Sequence, residues 1–330
     1  MRNSKMPSKV CMIAAAVIIL IMIIAANSLL SYLLCPYSSI RYEMHVMKKG
    51  NIEQVAVGTS HGKCGIDPSV LTEQTGLETF NLCRGGEYPV DTLYLVKFAA
   101  KHNKLKRVLY EVDPAYWILK PNQTADYSMF YREMPWGAEK AGYFADKMLS
   151  ADYRTTVTPW YMFRNNIKKI PEIVEEKKTA VYKNYMIADD FSTEGQTYSD
   201  RGFLAINRLA TDRISEDTPL LWSGEAPRKE SLRAVRRLIG FCEKQGIELV
   251  MVMAPIPKNT YEKYKENYDA ALEYMNEFSR ENNVKLLSYW NSDDERVPRK
   301  SDDFVDYDGH MYKESAAAFT GIIAEELEKL

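Results

Sequence analysis

Five short apolar runs, alternating with stretches of helical spacing, set the range of folds open to this chain. The runs are 54–59, 79–82, 107–112, 248–253 and 284–288. Helical spacing of apolar residues covers Val90 to His102, about Lys229 to Gln245, about Asn259 to Asn282, and Glu314 to Leu330. A further helix starts at Ile66, with Asp67 placed to cap it and Pro68 suited to its first turn. Strands that alternate with helices pair in parallel and carry helices on both sheet faces. The class expected is α/β, and such open sheets place their ligand crevice at the carboxyl ends of the strands.

One long segment breaks this rhythm. Residues 115–226 are rich in aromatics, among them Trp117, Tyr127, Trp136 and Trp160, and read as helices and loops with few strands. They are expected to be an insertion that covers the strand ends, within an extracytoplasmic domain running from 53 to 330. Aromatic residues in such a segment serve packing more often than carbohydrate binding.

The N-terminus has a different solvent in view. Val10 to Ala26 is wholly apolar, and the run resumes from Leu29 to Cys35. About 25 residues suffice to cross ~30 Å of hydrocarbon as a helix. Arg2, Lys5 and Lys9 precede the run, which favours a cytoplasmic N-terminus (1–9) and an exported remainder. A cleaved signal peptide is the rival reading, but the stretch is long and no clean cleavage site follows it. The expectation is an uncleaved, single-pass signal anchor over 10–35, followed by a stalk over 36–52.

A formal net charge of −2 gives no reason to expect nucleic acid as a partner. Five cysteines are present, and Cys64 and Cys83 each follow a strand on the same sheet edge. They could pair in an oxidising compartment or remain two half-buried thiols. Asn122-Gln123-Thr124 is a glycosylation sequon that matters only in a host that glycosylates.

Two loops far apart in sequence carry the chemistry. Ser60 closes the first apolar run in Gly58-Thr59-Ser60-His61, and His310 lies in Asp306-Tyr307-Asp308-Gly309-His310, just before the last helix. A serine hydroxyl is a weak nucleophile at neutral pH and needs an adjacent base, for which histidine is suited. A carboxylate on the other ring nitrogen fixes the tautomer, and Asp308 or Asp306 offers it from the same loop. A tetrahedral oxyanion needs donors placed in advance. Candidates are the backbone N–H of Ser60, the backbone from Cys83 through Gly85 and Gly86, and the Asn81 side chain. Arg84 is a candidate for an anionic substrate group, with a surface role as the default. His61 reads as a loop or packing residue, with substrate binding as its functional alternative. No cofactor motif is seen. Asp306, Asp308 and His310 lack the second His or Cys cluster that a metal site would want.

These residues resemble the SGNH (GDSL-type) hydrolases, specifically the membrane-anchored branch of exported proteins. Gly58 to His61 resembles the nucleophile block, Asn81-Leu82-Cys83-Arg84-Gly85-Gly86 the glycine-bearing second block, and Asp306 to His310 the terminal Asp/His block. The likeness spans roughly 52–113 and 228–330. Two departures stand out. The family's Asp three residues before His is here Tyr307, and of its neighbours Asp308 is slightly preferred over Asp306. The Gly-x-Asn-Asp block expected after the third strand is replaced by Glu111-Val112-Asp113, which removes one expected oxyanion donor.

The resemblance implies a three-layer, doubly wound α/β/α sandwich and ester chemistry through an acyl-serine. Similar anchored proteins include the D-alanyl transfer protein of teichoic-acid synthesis and the alginate O-acetylation proteins, which act beside a membrane-bound O-acyltransferase. By that analogy the substrate is an acylated cell-surface glycan or a small acyl ester. The chain is then a serine esterase or O-acyltransferase, or a non-catalytic binding partner of such a membrane enzyme.

Overall fold

The computed structural model describes residues 9–122, 124–148, 151–209 and 218–329. A five-stranded, wholly parallel sheet is its framework. The strands are β1 (Gln54–Val57), β2 (Thr79–Asn81), β3 (Arg107–Glu111), β6 (Glu248–Met253) and β7 (Lys285–Ser288), in the order β2-β1-β3-β6-β7. The chain therefore winds outward in both directions from β1.

Alternate strand residues point to opposite faces, and each face has its own core. Val55, Val57, Val108, Tyr110, Met251 and Met253 pack into one buried cluster. That cluster also takes side chains from α5 (Pro89–His102), α6 (Lys229–Gln245) and α7 (Lys265–Glu281). Ala56, Leu109, Val250 and Val252 pack on the other side, against Leu71 of α4 (Pro68–Thr75) and against α8 (Lys313–Leu327). Helices thus cover both faces, as the alternating pattern requires.

Helix α1 (Lys9–Leu34) is long and apolar enough to cross a membrane. Most of the expected N-terminal tail, residues 1–8, lies outside the described residues. The expected stalk over 36–52 is a correction. Ser39–Lys49 forms α2, whose Ile40, Met44 and Met47 are buried in the main core. Those three apolar positions recur at i, i+4 and i+7, so one helical stripe is sealed against the domain rather than left as a tether.

The segment 115–226 holds short helices, among them Ala125–Glu133, Ala138–Met148 and Ile170–Glu176, and one antiparallel hairpin of β4 (Gln196–Tyr198) and β5 (Leu204–Ile206). It is bolted to the sheet domain by a buried ion pair. Lys147 Nζ lies 2.8 Å from both Asp91 oxygens on α5, and Tyr143 donates to the same carboxylate. Gln123 of the sequon lies outside the described residues.

Candidate active site

The site is assembled where β1 stops. Gly58 has φ +138°, and a Cβ there would sit 2.2 Å from the Glu111 carbonyl oxygen, so only glycine permits this approach of β1 to β3. Thr59 follows as the cap of a short helix, α3 (Ser60–Gly65). Its N–H and its hydroxyl both donate to Glu111 Oε2, at 2.7 and 2.8 Å. Glu111 is buried. A carboxylate at the end of β3 thus fixes the turn that presents Ser60.

His310 arrives from the other end of the chain. Asp306 Oδ1 accepts the backbone N–H groups of Gly309 and His310 at 2.9 and 3.1 Å. This winds the loop around its own carboxylate. Asp306 Oδ2 then lies 2.7 Å from His310 Nδ1, and His310 Nε2 lies 2.8 Å from Ser60 Oγ. Burial pushes the Asp306 carboxyl up, but the His310 hydrogen bond and charge and the two N–H donors outweigh it and hold it below the ordinary range. An ionised Asp306 only accepts, so the ring proton sits on Nδ1 and the Nε2 lone pair faces the serine.

The preference for Asp308 is therefore corrected in favour of Asp306. Asp308 turns to a different imidazole, its Oδ2 lying 3.6 Å from His61 Nε2. His61 Nδ1 is 3.9 Å from Glu111 Oε1. Burial alone would lower the His61 pKa, yet Asp308 first, then the charges of Glu111 and Asp113, raise it to about 10. Asp308 is brought down to about 2 against its own burial, by His61 and then His310. His61 is thus a largely enclosed residue of α3 whose neighbours favour its charged form, its ring centre 5.1 Å from that of His310.

The remaining candidates divide. Asn81 is fully buried and its amide is spent: Nδ2 donates to the carbonyls of Gly62 and Ile66, both at 2.8 Å, and Oδ1 accepts from Cys83 N at 2.9 Å. It holds α3 to β2 and has no donor left for an oxyanion. Gly85 is exposed and lines the cavity that contains Ser60 and His310. Gly86, at φ +69°, turns the chain away behind it. Arg84 is buried rather than on the surface, with Nη2 2.9 Å from Glu43 Oε2. Cys64 and Cys83 are buried free thiols, not a disulfide.

The cavity measures about 640 Å³. Ser60, His310 and Asp306 line it together with a cationic wall of Lys63 and Arg84 and with Tyr198 of the β4–β5 hairpin. Lys63 and Tyr198 both donate to Glu43 Oε1, at 2.9 and 2.8 Å, so one buried carboxylate of α2 organises the cationic wall. Glu43, Lys63 and the bracing role of Glu111 escaped sequence reasoning. The signal for Glu43 was the apolar stripe around it, which marks α2 as a packed helix.

His61, Asp308 and His310 are close enough to share an ion, their ligand atoms all lying within 4.8 Å of one another. They do not suit a metal as arranged. Both His310 ring nitrogens are engaged, by Ser60 and Asp306. Comparison with known proteins returns no matching family model and no matching curated relative.

Proposed function

We propose that this chain is an SGNH-type serine esterase or O-acyltransferase, anchored in a membrane by α1 with its domain outside the cytoplasm. It acts on acyl esters of a cell-surface polysaccharide through an acyl-Ser60 intermediate. The observation that carries the reading is the unbroken chain Ser60 Oγ, His310 Nε2, His310 Nδ1, Asp306 Oδ2, with spacings of 2.8 and 2.7 Å across the two contacts. The polysaccharide rests on the resemblance of the three sequence blocks, and the orientation on Lys9 and the cations before it.

In this mechanism Ser60 Oγ attacks the ester carbonyl carbon as its proton passes to His310 Nε2. Asp306 stabilises the imidazolium that results. The carbonyl electrons move onto oxygen, where the Ser60 N–H and the backbone at Gly85 are the available donors. Collapse breaks the bond to the leaving alkoxide, which takes the proton back from His310. Water or an acceptor hydroxyl then repeats the sequence on the acyl-serine, and the acyl group leaves as acid or as a new ester.

A non-catalytic partner of a membrane acyltransferase is the competing reading. One observation favours it: the Asn81 amide is consumed inside the fold, and Glu111 faces Thr59 in the block where the family's Asn is expected. Hydrolysis of p-nitrophenyl acetate by the full chain separates the two. Turnover lost in Ser60→Ala supports the enzyme; equal turnover in both forms, or none in either, supports the partner.

A further inference from the structure

The segment following helix Tyr153–Val157 holds the end of α1, from Asn27 to Cys35. Trp160 Nε1 donates to Asn27 Oδ1 at 2.7 Å, and Asn166 Nδ2 donates to the Leu34 carbonyl at 3.2 Å. Lys177 Nζ donates to the Tyr32 carbonyl and, at 2.6 Å, to that of Cys35. Asn166 and Lys177 thereby satisfy carbonyls at the C-terminal end of α1, which a helix leaves open. With a rise of ~1.5 Å per residue, ~30 Å of hydrocarbon beginning at Lys9 ends near Asn27 to Leu30. The Trp160–Asn27 contact is therefore at the height of the bilayer surface on the domain side, and the other contacts lie within about 12 Å above it.

The same segment exposes apolar side chains and cations together. Tyr153, Val157 and Ile167 are 58%, 41% and 67% exposed. Arg154, Arg164, Lys168 and Lys169 are also exposed, and the sequence from Tyr153 to Lys169 contains no carboxylate. Asp152 just outside it pairs with Arg154 at 2.7 Å, which leaves three cations without an acidic partner inside the segment. Aromatic residues at headgroup level, apolar residues beside them and cations facing anionic lipid are what an interfacial membrane contact needs.

We propose that Tyr153–Lys169 is a second membrane contact, which seats the domain on an anionic phospholipid surface beside its anchor. The inference rests on the reading of α1 as a membrane anchor. It has a consequence for the cavity. Tyr37, Ser38 and Ser39 line it together with Ser60 and His310. Tyr37 is three residues beyond the end of α1, a reach of at most ~10 Å. Seated this way, the cavity wall begins within about 20 Å of the bilayer surface.

Site-directed spin labels on the full chain, in a Cys11→Ser background and in vesicles of three parts phosphatidylcholine to one part phosphatidylglycerol, test this. Labels go at Ile18→Cys on α1, Ile167→Cys on the segment, and Glu243→Cys on exposed α6. The expected result is severalfold more collision with oxygen than with a water-soluble nickel chelate at 18 and at 167, relative to 243. A label at 167 that meets the chelate as often as the one at 243, while 18 stays in lipid, overturns the second contact and leaves the anchor standing. A label at 18 that meets the chelate overturns the anchor reading and this inference with it.

Discussion

At the residue scale, a turn selects the carboxylate that serves His310. Asp308 is nearer in sequence, but Asp306 collects two backbone N–H groups and thereby aims its second oxygen at Nδ1. Asp at the first position and Gly at the fourth is a turn pattern, so the choice is legible in the spacing of Asp306 and Gly309. Asp306→Asn is expected to lower kcat on an activated ester by ~10⁴, the scale for losing the orienting carboxylate of a triad. Asp308→Asn is expected to cost about tenfold or less, through its pairing with His61 and its charge near His310, on the ~10-fold-per-1.4 kcal/mol scale. Steady-state kinetics on both variants checks the ranking. His61 also makes a pH prediction. Its folded pKa of about 10 stands above the ordinary 6.5, so its contribution to stability is complete below about 6.5 and is lost as pH rises through about 10. Urea unfolding at pH 7.5 and 10.5 should show a larger loss in the native chain than in His61→Gln.

At the scale of elements, the sheet strands were plain in the sequence because each is a short apolar run bounded by polar or turn residues. Asp67 and Pro68 also play their expected parts, the Asp67 carboxylate accepting from Ser69 N at 2.8 Å in front of α4. Helix α3 was not legible. Its sequence, Ser60-His61-Gly62-Lys63-Cys64-Gly65, has two glycines and poor intrinsic propensity. The helix stands because Thr59 is pinned by Glu111 and Asn81 ties the Gly62 carbonyl to β2, both long-range contacts. Gly58→Ala attacks this junction directly. A methyl 2.2 Å from a backbone oxygen, at a φ that L side chains avoid, should destabilise the domain by about 3 kcal/mol or more. In α2, Met47→Ala empties a fully buried position and should cost ~2–5 kcal/mol. A stalk would tolerate it at near zero. Urea denaturation measures both.

For the whole molecule, the question is how a serine near the front of the chain and a histidine near its end come to share one crevice. β1 sits inside the sheet with β2 on one side and β3 on the other, so the loops after β1 and β3 open at the point where the winding reverses. The 115–226 segment closes over that opening. Its route was not legible, because it is cut into short helices whose buried side chains, among them Trp117, Tyr127, Phe130 and Tyr143, join the main core only through long-range packing. Lys147→Ala should show how firmly it is fastened. Leaving Asp91 buried without its cation is expected to cost ~3–5 kcal/mol in urea unfolding. The central claim, that Ser60 is a nucleophile activated by His310, is tested most directly by treating the membrane-reconstituted full chain with a fluorophosphonate and mapping the adduct by mass. The account predicts one adduct, on the peptide containing Ser60, absent after His310→Ala. A folded chain that takes up no phosphonate at Ser60, or takes it up equally well without His310, would contradict it.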